Sequence, residues 1–173
     1  MTSRPQVLNT SSTLTASILL GGERALFSAA QAADASSMMK RPIPSSGEMV
    51  PVIGMGTSGS FQISSNGPEY QALRQVLKRF VESGATLIDT APTYGNAEDI
   101  LGSLFRESGL RSRTFIATKL SGVSGKEAGL EQFRSTLQRL GADKVELLQV
   151  HNLRDWKTQL EVARQLKSEG KVK

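Results

Sequence analysis

A layered α/β fold built on a parallel sheet is the class this sequence predicts, and three observations carry that expectation. Short β-rich runs begin near residues 52, 86, 114 and 145, and an amphipathic helical stretch follows each of them. The repeat is roughly thirty residues, the size of a strand–helix–strand unit. Glycines at Gly84, Gly109 and Gly141 stand where the first three helices should stop. Alternation at this pitch argues for parallel strands covered by helices. On pattern alone, an open doubly wound sheet and a closed barrel both remain open.

The hairpin comes first in the chain. Arg41-Pro42-Ile43 and Met49-Val50-Pro51 flank Ser45-Ser46-Gly47-Glu48 and read as two short antiparallel strands. The first parallel strand is Val52-Ile53-Gly54-Met55-Gly56-Thr57, followed by a Gly/Ser-rich loop. Pro68-Glu69 opens a helix at the position where proline is tolerated. That helix gathers Leu73, Val76, Leu77, Phe80 and Val81 on one face. The second strand, Thr86-Leu87-Ile88-Asp89, leads to a helix with Asn96 as N-cap that buries Ile100, Leu101, Leu104 and Phe105. The third strand is Thr114 to Lys119. Its helix carries a capping-box pair, Ser124 and Glu127, and an apolar line of Leu130, Phe133, Leu137 and Leu140. The fourth strand runs from Val145 to Val150, and a helix comes after it from about Asp155 to Glu169.

Residues 1–39 differ from the rest. They are rich in Ser, Thr and Ala. Arg4, the apolar stretch Leu14 to Leu20, and the small residues Ala30-Gln31-Ala32 and Ala33-Asp34-Ala35 come in the order of an export signal. The apolar stretch is brief, and Glu23 and Arg24 interrupt the region after it, so a disordered tail is the competing reading. The expected organisation is a leader-like or disordered tail over 1–39 and a folded domain over 40–173. A working leader would imply the bacterial periplasm, and otherwise the cytoplasm.

Composition narrows the function classes. Hydrophobic residues at 38% and charged residues at 21% suit a globular protein. No apolar run approaches the ~20 residues of a membrane-spanning helix, so no membrane partner is expected. The net charge of +5 invites a nucleic-acid reading. The cations are mixed with acids, as in Lys78, Arg79, Glu82 and Arg106, Glu107, Arg111, and such mixtures mark solvated helix faces. No basic stripe with interleaved aromatics is present, so nucleic acid is not the expected partner. The chain has no cysteine and one histidine, which leaves no thiol nucleophile and no multi-His metal centre.

Parallel strands deliver side chains to the carboxyl edge of the sheet, where sites form in barrels and open sheets alike. Asp89 ends the second strand, Tyr94 lies in its loop, Lys119 ends the third strand, and His151 comes after the fourth. Singly, each has an ordinary structural explanation: a helix cap, a rim aromatic, a solvated lysine. Together they make a coherent acid–base set. A tyrosine titrates near ~10 and is a poor proton donor at neutral pH. A nearby ammonium favours the phenolate. Lys119 can supply that charge, Asp89 can hold Lys119, and His151 can orient a carbonyl oxygen.

The sequence around these positions resembles the aldo-keto reductase family. Asp89-Thr90-Ala91-Pro92-Thr93-Tyr94-Gly95-Asn96-Ala97-Glu98, with Leu101-Gly102 after it, looks like the family's Asp-to-Glu signature. Phe115 to Lys119 is similar to its lysine strand and Leu147 to His151 to its histidine strand. Val52 to Thr57 looks like its first strand, the 41–51 hairpin like the one capping the barrel floor, and Ser168 to Val172 like the approach to strand five. The resemblance runs from about Lys40 to the last residue.

This resemblance implies a (β/α)8 TIM-type barrel of which the first four units are present, because a closed barrel takes ~250 residues. It implies reduction of aldehydes or ketones by hydride transfer from NADP(H), with Tyr94 as general acid. Lys119 would lower the Tyr94 pKa, Asp89 would pair with Lys119, and His151 would orient the substrate carbonyl. Gly56, Thr57 and Asp89 would lie near the nicotinamide ribose. Gly95 and Glu98 would shape the loop and helix start, and Trp156 would either rim the substrate pocket or pack a helix. Most cofactor contacts in the family come from its second half, so the chain alone is expected to be weakly active or inactive. Its exposed edge strands could drive self-association. The alternatives are a non-catalytic nicotinamide-binding regulatory subunit and a structural half-barrel.

Overall fold

The computed structural model describes residues 38–173. The leader expectation for residues 1–39 therefore falls almost wholly outside the described residues. A two-stranded antiparallel hairpin comes first, with β1 (Lys40–Pro42) paired to β2 (Met49–Pro51) in the register Arg41 to Val50. Its turn ends at Gly47, whose φ of 73° is backbone that glycine adopts without steric cost.

Four parallel strands form the sheet in chain order: β3 (Gly54–Gly56), β4 (Leu87–Asp89), β5 (Phe115–Leu120) and β6 (Leu147–Val150). Four helices alternate with them: α1 (Pro68–Glu82), α2 (Ala97–Ser108), α3 (Lys126–Leu140) and α4 (Trp156–Ser168). A doubly wound sheet reverses its strand order at a switch point. Here the order never reverses, which is the pattern of a partial barrel wall. Val172 forms a parallel bridge to Val145, so the chain after α4 returns to the β6 side of the sheet.

Register divides the sheet into two faces. Met55, Ile88 and Ile116 stand side by side, and Ile88 and Ile116 are fully buried in the core with Leu77, Leu101, Leu104 and Leu140 from the helices. Burial of such side chains contributes about 1.5–3 kcal/mol each, and this layer is the main source of stability. The opposite face carries Gly56, Asp89, Ala117 and Leu147 in one row, with Lys119 and Gln149 in the next. That face holds Asp89 and Lys119, two of the four polar residues singled out in the sequence.

Several elements depart from the sequence reading for identifiable reasons. The first strand spans only three residues, because Val52 and Ile53 are exposed and pair with nothing on the sheet. Val76 is also exposed; the buried stripe of α1 is Tyr70, Leu77 and Val81, with Leu73 and Phe80 beside it. The Ser124–Glu127 capping box does not form. Gly125 is the N-cap of α3, and its N–H donates instead to the Asp155 Oδ2 at 2.8 Å. Asn96 occupies the N-cap of α2, but its amide reaches back to the Ile63 carbonyl at 2.7 Å.

Glu98 and Gly102 fix how α2 meets its neighbours. Glu98 is buried, and its carboxylate accepts from Thr118 on β5 (2.9 Å) and from Thr136 (3.1 Å) and Arg139 (2.7 and 2.9 Å) on α3. A buried carboxylate is tolerated only when paired and hydrogen-bonded in this way. At Gly102 the helices touch: a Cβ there would stand 1.9 Å from the Arg139 carbonyl oxygen. No helix among the described residues is long and apolar enough to cross a membrane.

Candidate active site

The site is assembled at the carboxyl ends of β4, β5 and β6. Asp89 is the last residue of β4, on the open face of the sheet. The chain then turns. The Tyr94 N–H donates to the Ala91 carbonyl at 3.0 Å, the Ala97 N–H donates to the Tyr94 carbonyl at 3.0 Å, and Gly95 comes next with φ 53°. These contacts bring the Tyr94 ring back over the strand ends instead of releasing it to solvent. Tyr94 packs against the core as a partly buried residue.

Lys119 lies two residues beyond Ala117, the register partner of Asp89, and so projects from the same face. Its Nζ donates to the Asp89 Oδ1 at 2.6 Å and to the Thr90 carbonyl at 2.9 Å. The lysine side chain is 10% exposed and the aspartate 36%, so the ammonium is largely withdrawn from water while its partner stays partly hydrated. Such a cation needs its charge and its donors satisfied, and Asp89 with the Thr90 carbonyl does this. The same Nζ stands 5.1 Å from the centroid of the Tyr94 ring, within cation–π range.

His151 comes directly after β6. Its ring meets Tyr94 edge-to-face, with centroids 6.1 Å apart and planes at 89°. Aspartate, lysine, tyrosine and histidine thus form one continuous series of contacts, drawn from positions 62 residues apart at their extremes (Asp89 to His151). The backbone beyond His151 is unusual. Asn152, Leu153 and Asp155 all have positive φ, at 55°, 52° and 47°, which non-glycine residues rarely adopt. Asp155 holds this segment by accepting from the Gly125 N–H, Thr158 and Gln159, and those bonds keep its carboxyl below the usual aspartate range, the Gly125 N–H contributing most.

The structure treats the three expected cofactor residues differently. Gly56 is the register partner of Asp89, and no heavy atom lies within 4 Å of where its Cβ would be, so the surface beside Asp89 is open. Among the described residues, Asp89 Oδ2 takes no hydrogen bond. Thr57 is fully buried, and its hydroxyl donates to the Thr90 Oγ1 at 2.9 Å. Its side chain braces the β4 end from below. Trp156, the first residue of α4, is half exposed with Lys157 near its ring, outside the cluster.

Sequence reasoning missed three residues next to the site. Ser121 Oγ lies 2.5 Å from His151 Nδ1, and Thr93 Oγ1 lies 2.8 Å from Ser121 Oγ. Gln132 on α3 grips the Ser121 backbone at both ends, accepting from its N–H and donating to its carbonyl, each at 2.7 Å. The only signal in the sequence was a hydroxyl residue two positions past Lys119.

Known proteins are similar to this chain in sequence and fold. Residues 52–173 match the Aldo/keto reductase family. The aldo-keto reductase YhdN of Bacillus subtilis is 30% identical over 139 residues, covering 70% of this chain and 41% of the relative. The aldo-keto reductase str7 of Strobilurus tenacellus is 32% identical over 140 residues, covering 72% of this chain and 41% of the relative. Among solved structures, an aldo-keto reductase from Klebsiella pneumoniae in complex with NADPH superposes with a TM-score of 0.66 at 28% identity. That match covers 78% of this chain and 48% of the other. The chain therefore spans less than half the length of these relatives. It belongs to the aldo/keto reductase family.

Proposed function

We propose that this member of the aldo/keto reductase family takes part in reducing aldehyde or ketone groups to alcohols with NADP(H), using Tyr94 as proton donor. The observation that carries this reading is the Lys119 ammonium, held by Asp89 at 2.6 Å and standing 5.1 Å from the Tyr94 ring. A nicotinamide cofactor, when bound, supplies the hydride. Gly56 and Asp89 would hold its ribose end, on the strength of the open glycine surface and the carboxylate beside it. The NADPH complex of the Klebsiella relative supports that choice of cofactor.

The chain's own residues then divide the work. The Tyr94 hydroxyl passes its proton to the carbonyl oxygen as negative charge develops there. The Lys119 ammonium, 5.1 Å from the ring centroid, places positive charge beside the group from which the proton leaves. Asp89 keeps that ammonium in place. His151 donates a hydrogen bond that turns the carbonyl oxygen toward Tyr94. General acid catalysis of this kind contributes about 10²–10⁴-fold.

A polypeptide of these 173 residues alone is expected to turn over weakly or not at all in the steady state, since the outer sides of β3 and β6 have no strand partner among the described residues. The test is single-turnover oxidation of NADPH with the protein in excess and a panel of aldehydes and ketones. The expected result is a slow, carbonyl-dependent loss of NADPH that Tyr94→Phe slows at least about 100-fold. Equal rates for the two proteins would remove Tyr94 from the chemistry.

A further inference from the structure

We propose that Ser121, clamped by Gln132 and backed by Thr93, is a positioning residue that fixes His151 as its Nε2–H tautomer. The inference rests on the reductase reading only for the use to which the oriented imidazole is put.

The geometry is a line of hydrogen bonds ending on the ring. Thr93 Oγ1 and Ser121 Oγ are 2.8 Å apart, and Ser121 Oγ and His151 Nδ1 are 2.5 Å apart. A serine hydroxyl has one proton to give and can accept another. Either atom can donate across these two contacts; donation from Thr93 to Ser121 and on to His151 makes Nδ1 an acceptor and puts the ring proton on Nε2. The hydrogen bond made by one ring nitrogen sets the state of the other. An Nε2–H is the form that can donate to a carbonyl oxygen.

Two features make this line specific. Ser121 comes immediately after β5, where a loop could let its side chain wander. Gln132, within α3, closes both backbone groups of Ser121 at 2.7 Å and leaves the hydroxyl only its χ1 to choose. Ser121 is 4% exposed, so water competes poorly for its hydroxyl. On the other side, the positive-φ residues Asn152 and Leu153 hold the chain after His151 in a conformation that the surrounding contacts must impose. Ring and hydroxyl are thus each fixed from their own element.

The chain has one histidine, so its ring can be read without ambiguity. The experiment is a long-range ¹H–¹⁵N correlation spectrum of the ¹⁵N-histidine-labelled 173-residue protein, at a pH where the ring is neutral. The expected pattern is Nε2 protonated and Nδ1 unprotonated. In Ser121→Ala the tautomer ratio should move toward Nδ1–H by about three- to tenfold, the factor set by one ordinary hydrogen bond. Ser121→Thr, which keeps a hydroxyl, should restore it, and Gln132→Leu should move it in the same direction as Ser121→Ala. A wild-type ring protonated on Nδ1 overturns the proposal, as does a ratio unchanged in both Ser121→Ala and Gln132→Leu. If Ser121→Ala does not fold, the wild-type pattern and Gln132→Leu decide. A responsive tautomer with NADPH oxidised at the same rate in wild type and Tyr94→Phe would sink the reductase reading and leave this one standing; oxidation that Tyr94→Phe slows, with an indifferent tautomer, would do the reverse.

Discussion

Tyr70 shows how much one hydroxyl can depend on its surroundings. It is buried against the core, and its O–H donates to the Glu107 Oε1 at 2.7 Å. Burial, and then the bond and charge of Glu107, push its pKa up to about 12. The protonated form is the one the fold favours, so its contribution to stability is present below the ordinary tyrosine value near ~10. That contribution is lost as pH rises from there toward 12. Tyr70→Phe should lower stability by about 1 kcal/mol at neutral pH and flatten the alkaline limb of a pH–stability profile from denaturant melts. An unchanged limb would contradict the assignment. At this scale the positions of the four polar residues were legible, because Asp89, Lys119 and His151 stand at or next to strand ends and Tyr94 in the loop after one. Ser121, Thr93 and Gln132 were not. Their roles depend on a hydroxyl from one loop meeting another 28 residues away, and on one helix turn reaching a strand end. Neither meeting leaves a periodic trace.

Between elements, close approach and capping decide the fit. Gly102 lets α2 lie directly on the α3 backbone at Arg139. Gly102→Ala should force the two helices apart, costing at least about 1–3 kcal/mol as overpacking does, and thermal denaturation would read this. A melt within error of wild type would show that the helices slide apart freely. The sequence suggested Gly102 only as part of a family signature, since a helix-interior glycine is silent about which neighbour it admits. Helix ends were clearer: Gly109 and Gly141 cap α2 and α3 in the left-handed conformation, as their positions predicted. In place of the Ser124–Glu127 capping box, α3 starts at a Gly125 N-cap whose N–H finds its partner 30 residues on, in Asp155. The lowered Asp155 pKa gives this contact a pH signature. Its stabilisation should be present above the ordinary value of 3.8 and disappear as pH falls below it. The difference in melting temperature between wild type and Asp155→Asn should therefore shrink on acidification below that value. A constant difference would mean that the carboxylate charge is irrelevant.

Across the whole molecule, one sheet separates two kinds of work. Helices cover the face of Ile88 and Ile116 and make the core, while the face of Gly56, Asp89 and Lys119 carries the polar cluster. The alternation of elements was readable from glycine stops and apolar periodicity. The choice between barrel wall and doubly wound sheet was not, because both produce the same local pattern; strand order without a reversal, together with the superposition on aldo-keto reductase structures, decides it. That arrangement puts three strand ends side by side and lets Lys119 bridge Asp89 and the Tyr94 ring. On the reading proposed above, this bridge serves Tyr94 as proton donor to a carbonyl. Single-turnover NADPH oxidation with an aldehyde, comparing wild type with Tyr94→Phe, tests it most directly. The expected result is aldehyde-dependent oxidation slowed at least about 100-fold by the loss of one hydroxyl. Oxidation at the same rate in both proteins would contradict it.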